Sequence, residues 1–177
     1  MDHLEKVVVA KSNVIYLSVE GVVYSKDGRK MIFYPFGKTG NLRLPDTCKY
    51  IGSQMRENKL KSVSISANNK YFTAVDGVLY NLRGTKIRCF PMRKKKYKLP
   101  KTLRDIEYLN RIKNELKCRS IQVASGNKSF YSKAGVVFTK GSHTLVFYPT
   151  KKKGSYTIPA STRYIASHAF DEAHNLT

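Results

Sequence analysis

Apolar positions along this chain fall into short runs with a period of two, interrupted by glycine and proline at intervals that themselves repeat. Val7-Val8-Val9, Val63-Ser64-Ile65 and Ile121-Gln122-Val123 have the β-branched character of short strands. Each is followed by an asparagine and, three residues on, an aromatic: Asn13 and Tyr16, Asn69 and Phe72, Asn127 and Phe130. Asparagine tolerates tight turns and bonds to neighbouring backbone, so its recurrence at a strand exit predicts a stacked structural position. A second apolar run opens on glycine at Gly21-Val22-Val23-Tyr24, Gly77-Val78-Leu79-Tyr80 and Gly135-Val136-Val137-Phe138, and starts a hairpin with tips at 26–29, 82–85 and 140–143. Glycine at each tip is expected to supply the positive φ of a tight turn. The returning strands at 31–34, 87–90 and 145–148 are apolar on both sides except at Arg88, the pattern of strands covered on both faces.

After a basic loop and a further short strand ending in Leu44-Pro45, Leu99-Pro100 or Ile158-Pro159, the period changes. Apolar residues then fall largely at spacings of three and four: Ile51 and Met55, with Leu60 beyond; Leu103, Ile106, Leu109, Ile112 and Leu116; Ile165 and Ala169, with Phe170 and Leu176 beyond. That spacing predicts a short helix in each copy. The Gly-Val segments start 56 and then 58 residues apart, and the Tyr34-Pro35, Phe90-Pro91 and Tyr148-Pro149 pairs repeat at the same intervals. The reading is therefore one repeat domain over 1–177, with tandem copies at 7–62, 63–120 and 121–177, each about 57 residues of strand, β-hairpin, strand and short helix. An α/β solenoid follows, in which each coil buries its apolar face against the next. A β-propeller is a poor fit, because three blades are too few to close a ring and the helical segment has no place in a blade.

The residues also resemble the BspA-type leucine-rich repeat family. The segment 156–170, with Ile158-Pro159, Ile165 and Ala169-Phe170, matches that family's IP-x-x-V-x-x-I-x-x-x-AF unit, and Val75-Asp76-Gly77-Val78-Leu79-Tyr80 resembles its DGVLY insert. Copies one and two depart from it, with Met55-Arg56 and Asn110-Arg111 in place of Ala-Phe, although Ile51, Ile106 and Ile165 keep the isoleucine. The resemblance implies a right-handed leucine-rich-repeat solenoid in a secreted or surface-attached bacterial protein that acts in adhesion or ligand binding. Extracellular or cell-surface localisation is thus implied by the family, and a cytoplasmic one is the alternative.

Charge narrows the expected partner. The chain holds 33 Lys and Arg against 12 Asp and Glu, a net charge of +21, which attracts polyanions without requiring a pocket. Arg93, Lys94, Lys95, Lys96 and Lys98 occupy the same loop of the repeat as Lys151, Lys152 and Lys153, and Lys38 marks it in the first copy. Because a solenoid stacks equivalent loops in register, these cations are expected to form one stripe. Tyr97, Tyr148 and Tyr156 lie beside it in sequence as candidates to stack a base or sugar ring. A protein or acidic glycan ligand is the first expectation and nucleic acid the second.

Catalytic and metal chemistry are poorly supported. His3, His143, His168 and His174 have no HExxH arrangement, and His168, Asp171, Glu172 and His174, though clustered, fit solvent-facing positions better than a metal site. Cys48, Cys89 and Cys118 occupy unlike places in their copies and read as buried free thiols, without the spacing of a disulfide ladder or a metal cluster. No cofactor is expected. The sequons at Asn127-Lys128-Ser129 and Asn175-Leu176-Thr177 are better explained by structure and chance. The first residues lack a signal-peptide pattern, no run of 18 apolar residues could span a bilayer, and both ends lie in phase with the repeat, an arrangement that favours end-to-end self-association.

Overall fold

The computed structural model describes residues 3–52, 55 and 58–177. The chain divides into two compact units, one of residues 1–84 with 88–92 and the other of residues 85–87 with 93–177. The first holds β1 (Tyr16–Val19), β2 (Val22–Ser25) and β3 (Met31–Phe33) as a three-stranded sheet, and β4 (Thr39–Arg43) paired in parallel with β5 (Lys59–Ser64). It also holds the hairpin of β6 (Phe72–Val75) and β7 (Val78–Asn81), whose sheet β8 (Ile87–Cys89) completes. The second unit pairs β9 (Lys96–Leu99) in parallel with β10 (Ser120–Val123). Its sheet runs in the order β11 (Phe130–Lys133), β12 (Val136–Thr139), β13 (Thr144–Phe147) and β14 (Tyr164–Ile165). Among the described residues the fold is mostly β, with one short α-helix, α1 (Glu107–Arg111), followed by a 3-10 turn at Lys113–Glu115.

Each sheet that contains a Gly-Val strand begins with a strand the apolar pattern did not separate. β1, β6 and β11 each join the next strand through two residues, Glu20-Gly21, Asp76-Gly77 and Ala134-Gly135. Both residues of every such turn have positive φ, at 50° and 81°, 51° and 75°, and 50° and 81°. That is the geometry of a type I′ turn, whose twist matches the strands it connects. Glycine is fixed there a second time by space: a Cβ on Gly77 would lie 2.8 Å from Ser62 Cβ, and one on Gly21 2.5 Å from Lys6 Cβ. The same close approach lets the Val7, Val63 and Ile121 N–H groups donate to the carbonyls of Gly21, Gly77 and Gly135 at 2.8–2.9 Å.

The asparagine position behaves as its recurrence predicted. Asn69 Oδ1 accepts from the N–H groups of Tyr71 and Phe72, while its amide donates to Asp46 O and Cys48 O. Asn127 repeats this with Ser129, Phe130, Pro100 and Leu103. Asn13 makes the two accepting bonds, to Ile15 and Tyr16.

Other expectations are corrected. Residues 7–9 form no strand, because the parallel partner that β4 supplies to β5, and β9 to β10, is lacking there among the described residues. The returning strands are covered on one side only: Met31, Ile87, Cys89, Leu145 and Phe147 are buried, while Arg88 is exposed and Ile32 and Val146 are half-buried. The tip of the third hairpin takes its positive φ from His143 (51°) and not from Gly141. Among the described residues an α-helix forms only in the second copy, so the α/β expectation gives way to a mostly β fold. In the third copy the three-and-four spacing is met by successive turns, with Ala169 N–H donating to Ala166 O, Ala173 N–H to Phe170 O and Leu176 N–H to Ala173 O. In the first, Met55 is buried in a one-residue stretch of 3-10 character; Arg56 lies outside the described residues.

Each unit has its own apolar core. Tyr24, Tyr34, Leu42, Leu44, Met55, Leu60 and Leu79 are among those packed in the first, and Val136, Phe138, Leu145, Tyr148 and Ala169 form a cluster in the second. Each of the larger aliphatic and aromatic side chains contributes roughly 1.5–3 kcal/mol by leaving water, and Ala169 about 1 kcal/mol or less.

Candidate functional site: the basic loops

The second unit carries 19 Lys and Arg against 5 Asp and Glu, a net +14 of the whole chain's +21. Its basic loops are joined backbone to backbone. Arg119 N–H donates to Lys95 O at 2.8 Å, and Lys151 N–H donates to Cys118 O at 2.8 Å. Thr150 adds a buried bond from its hydroxyl to Leu116 O at 2.7 Å. Residues 93–95, 117–119 and 150–153 therefore lie side by side. Arg93, Lys95, Lys96, Lys98 and Lys153 are exposed, and Lys94, Lys151 and Lys152 are half-buried. Along β9 the alternation is strict, with Lys96 and Lys98 outside and Tyr97 and Leu99 inside.

Two further cations join this surface that the repeat alignment did not single out. Lys117 and Arg119 flank the buried Cys118 and are both exposed. Their signal was the alternation Lys-Cys-Arg just ahead of a strand, which places both charges on the outer side. Among the described residues no carboxylate lies within 4.0 Å of Arg93, Lys95, Lys96, Lys117, Arg119 or Lys151–153. Like charges left without counter-charges raise the local potential, which is useful for an anionic ligand and unfavourable without one.

The aromatic part of the expected stripe does not hold. Tyr97 is 2% exposed, and Tyr148 is fully buried. Tyr156 is half-buried and packs edge-to-face on Tyr148, 5.4 Å between ring centres. Tyr97 and Tyr156 alternate with exposed neighbours and Tyr148 sits in a run of buried residues, so all three rings belong to the core and offer no free face to a base. Lys38 lies in the first unit, where its Nζ donates to Glu20 O at 2.5 Å and braces the Glu20-Gly21 turn.

The remaining titratable groups are mostly structural. Cys48, Cys89 and Cys118 are all buried free thiols, and burial pushes their pKa values up to about 11, about 12 and about 12. Such thiols are poor nucleophiles near neutral pH. His168 pairs with Asp171 at 2.8 Å and His174 with Glu172 at 2.9 Å, as two separate contacts. Lys113, which the sequence reading passed over, is buried. Its Nζ donates to His168 O and Ala169 O at 2.5 and 2.8 Å and sits 5.2 Å from the centre of the Phe147 ring. Desolvation pushes its pKa down to about 8, against an opposing pull from Asp171 and Glu172.

Two solved structures resemble this one. A leucine-rich repeat protein from Eubacterium ventriosum aligns with a TM-score of 0.51 at 14% identity, over 93% of this chain and 57% of that one. The fold matches a bacterial leucine-rich-repeat protein. The pneumococcal vaccine antigen PcpA aligns with a TM-score of 0.46 at 24% identity, over 78% of this chain and 32% of that one. This chain thus spans about a third of one and somewhat over half of the other. No protein-family model and no curated protein matches it. Among the described residues no helix is long and apolar enough to cross a membrane.

Proposed function

We propose that this chain is a right-handed leucine-rich-repeat solenoid that binds a ligand and catalyses no reaction, and that it serves a secreted or cell-surface protein as an adhesive or ligand-binding domain. Copies at 7–62, 63–120 and 121–177 form its coils, and the parallel pairs β4–β5 and β9–β10 fit the step from one coil to the next. The basic loops of residues 93–98, 117–119 and 151–153 take an acidic partner, a protein surface or an acidic glycan. The observation that carries this reading is the pair of backbone bonds, Arg119 to Lys95 and Lys151 to Cys118, that brings three basic segments together. Nucleic acid could be held by its phosphates through the same cations, but with Tyr97 and Tyr148 buried no base would stack on them.

Binding to a heparin-like glycan, duplex DNA and RNA over a salt series tests the reading. Counterion release makes log K fall linearly with log salt, steeply when several cations are engaged. Replacing Lys94, Lys95, Lys96, Lys151, Lys152 and Lys153 together by Gln is expected to weaken binding at least about tenfold and to flatten the salt slope. Unchanged affinity in that variant, with its fold intact by circular dichroism, sinks the proposal.

A further inference from the structure

Three copies of one motif in a single chain provide internal comparisons, and the middle copy differs at the strand exit. In the first copy Val9 N–H donates to Ser18 Oγ at 3.0 Å, and in the third Val123 N–H donates to Ser132 Oγ at 2.9 Å. The corresponding pair in the second copy is Ile65 and Ala74. Alanine has no hydroxyl, and the Ile65 N–H has no acceptor among the described residues. The hairpin tip differs at the same place. Lys26 reaches across in the first copy, its Nζ 2.6 Å from Asn13 O and 3.4 Å from Lys11 O. The third copy has Lys140 there, whereas the second has Leu82, an exposed apolar side chain that cannot make such bonds.

The two changes coincide with an open groove of about 290 Å³, lined by Ile65, Ser66, Phe72, Thr73, Ala74 and Leu82 among others. Its lining includes no charged side chain. We propose that this groove binds a neutral acetamido group carried on a sugar, as in an N-acetylated amino sugar. An acetamido group presents a methyl, a carbonyl and an N–H within a few ångströms of one another. The Ile65 N–H is the donor for the carbonyl; Ala74 and Leu82 provide the apolar contact for the methyl, with the buried Phe72 part of the wall; the Ser66 hydroxyl donates to a ring hydroxyl, and the amide N–H keeps its water. Ser66 Oγ already accepts from Asn68 N–H at 3.2 Å, which leaves its proton free to be donated. Asn69 forms part of the wall but its amide is committed to backbone on both sides, so it fixes the groove's shape and takes no part in recognition. The volume lies at the small end of ligand sites, suited to one sugar residue and not to a larger group. This groove belongs to the first unit and the basic loops to the second, so either assignment can fail alone.

Titration of the ¹⁵N-labelled full chain with N-acetylglucosamine, and in parallel with glucose, reads the proposal directly. Saturable shifts of the Ile65, Thr73 and Ala74 amides are expected with the acetylated sugar in the low millimolar range, on the order of ten times weaker with glucose. Ala74→Ser restores the hydroxyl found in the other two copies, so it folds as they do, caps the Ile65 N–H and abolishes the shifts; Leu82→Lys is expected to weaken them. Absence of shifts up to ~50 mM sugar overturns the proposal. So does an Ala74→Ser variant that binds as well as the parent. An N-acetylated dipeptide that shifts Ile65 where the sugar does not would assign the groove to peptide and overturn it equally.

Discussion

Lys113 and Asn127 show how polar side chains become structural in this chain. Both are buried, and both direct their donors at backbone carbonyls. For Asn127 this was legible, because an asparagine recurring at one phase of a repeat needs a positional reason. Lys113 carried no such mark: in a segment with Arg111, Lys117 and Arg119 a lysine reads as solvent-facing, and only the fold brings His168 O and Ala169 O to it. Its burial has a testable consequence. The folded chain holds the Lys113 proton less tightly than the unfolded one, with a pKa near 8 against the ordinary 10.5. Between those values the unfolded chain binds more protons, so this group's contribution makes stability rise with pH through that window. Comparing urea unfolding of the parent and Lys113→Met at pH 7 and pH 10 isolates it, since the other lysines are shared. The parent is expected to gain about 1–3 kcal/mol over the variant between the two pH values; equal changes in both would refute the assignment.

At the scale of elements, strand pairs were more visible than helices. Glycine followed by valine announced β2, β7 and β12, yet their partners β1, β6 and β11 escaped notice because Ser18, Thr73 and Ser132 break the apolar run. In the third copy the predicted helix gives way to turns for an energetic reason. A five-residue helix fixes more dihedrals than its few hydrogen bonds repay, and α1 has no side-chain bond at its N-cap, Ile106. Residues spaced three apart satisfy a chain of tight turns equally well, which is what the third copy adopts although it best matches the family pattern. The glycine turns allow a clean comparison. Gly126 has φ of 81° and open space around its would-be Cβ, so Gly126→Ala is expected to lose about 1–2 kcal/mol for the backbone alone. Gly77→Ala adds a contact at 2.8 Å with Ser62 in the middle of β5 and should lose clearly more, about 3 kcal/mol or above. Chemical denaturation of the two variants measures the difference, and equal losses would show that close approach is not what fixes Gly77.

For the molecule as a whole, charge is the dominant unbalanced term. The sequence exposed its size but not its distribution, because Lys38 turned inward to a carbonyl and Tyr97 into the core, while Lys117 and Arg119 joined the surface across a parallel ladder. A net +21 without a bound anion opposes compaction. Raising sodium chloride from ~10 mM to ~500 mM shortens the screening length from about 30 Å to a few ångströms and is expected to raise Tm by several degrees in calorimetry. A flat or falling Tm would mean that these charges are already neutralised within the fold.

Cys48, Cys89 and Cys118 are distributed along the chain, each sealed from solvent and each chemically silent while sealed. A thiol reagent can reach one of them only when its own stretch of chain opens. Their separate labelling rates would therefore clock, without any engineered probe, whether the stretches around residues 48, 89 and 118 open together or one by one.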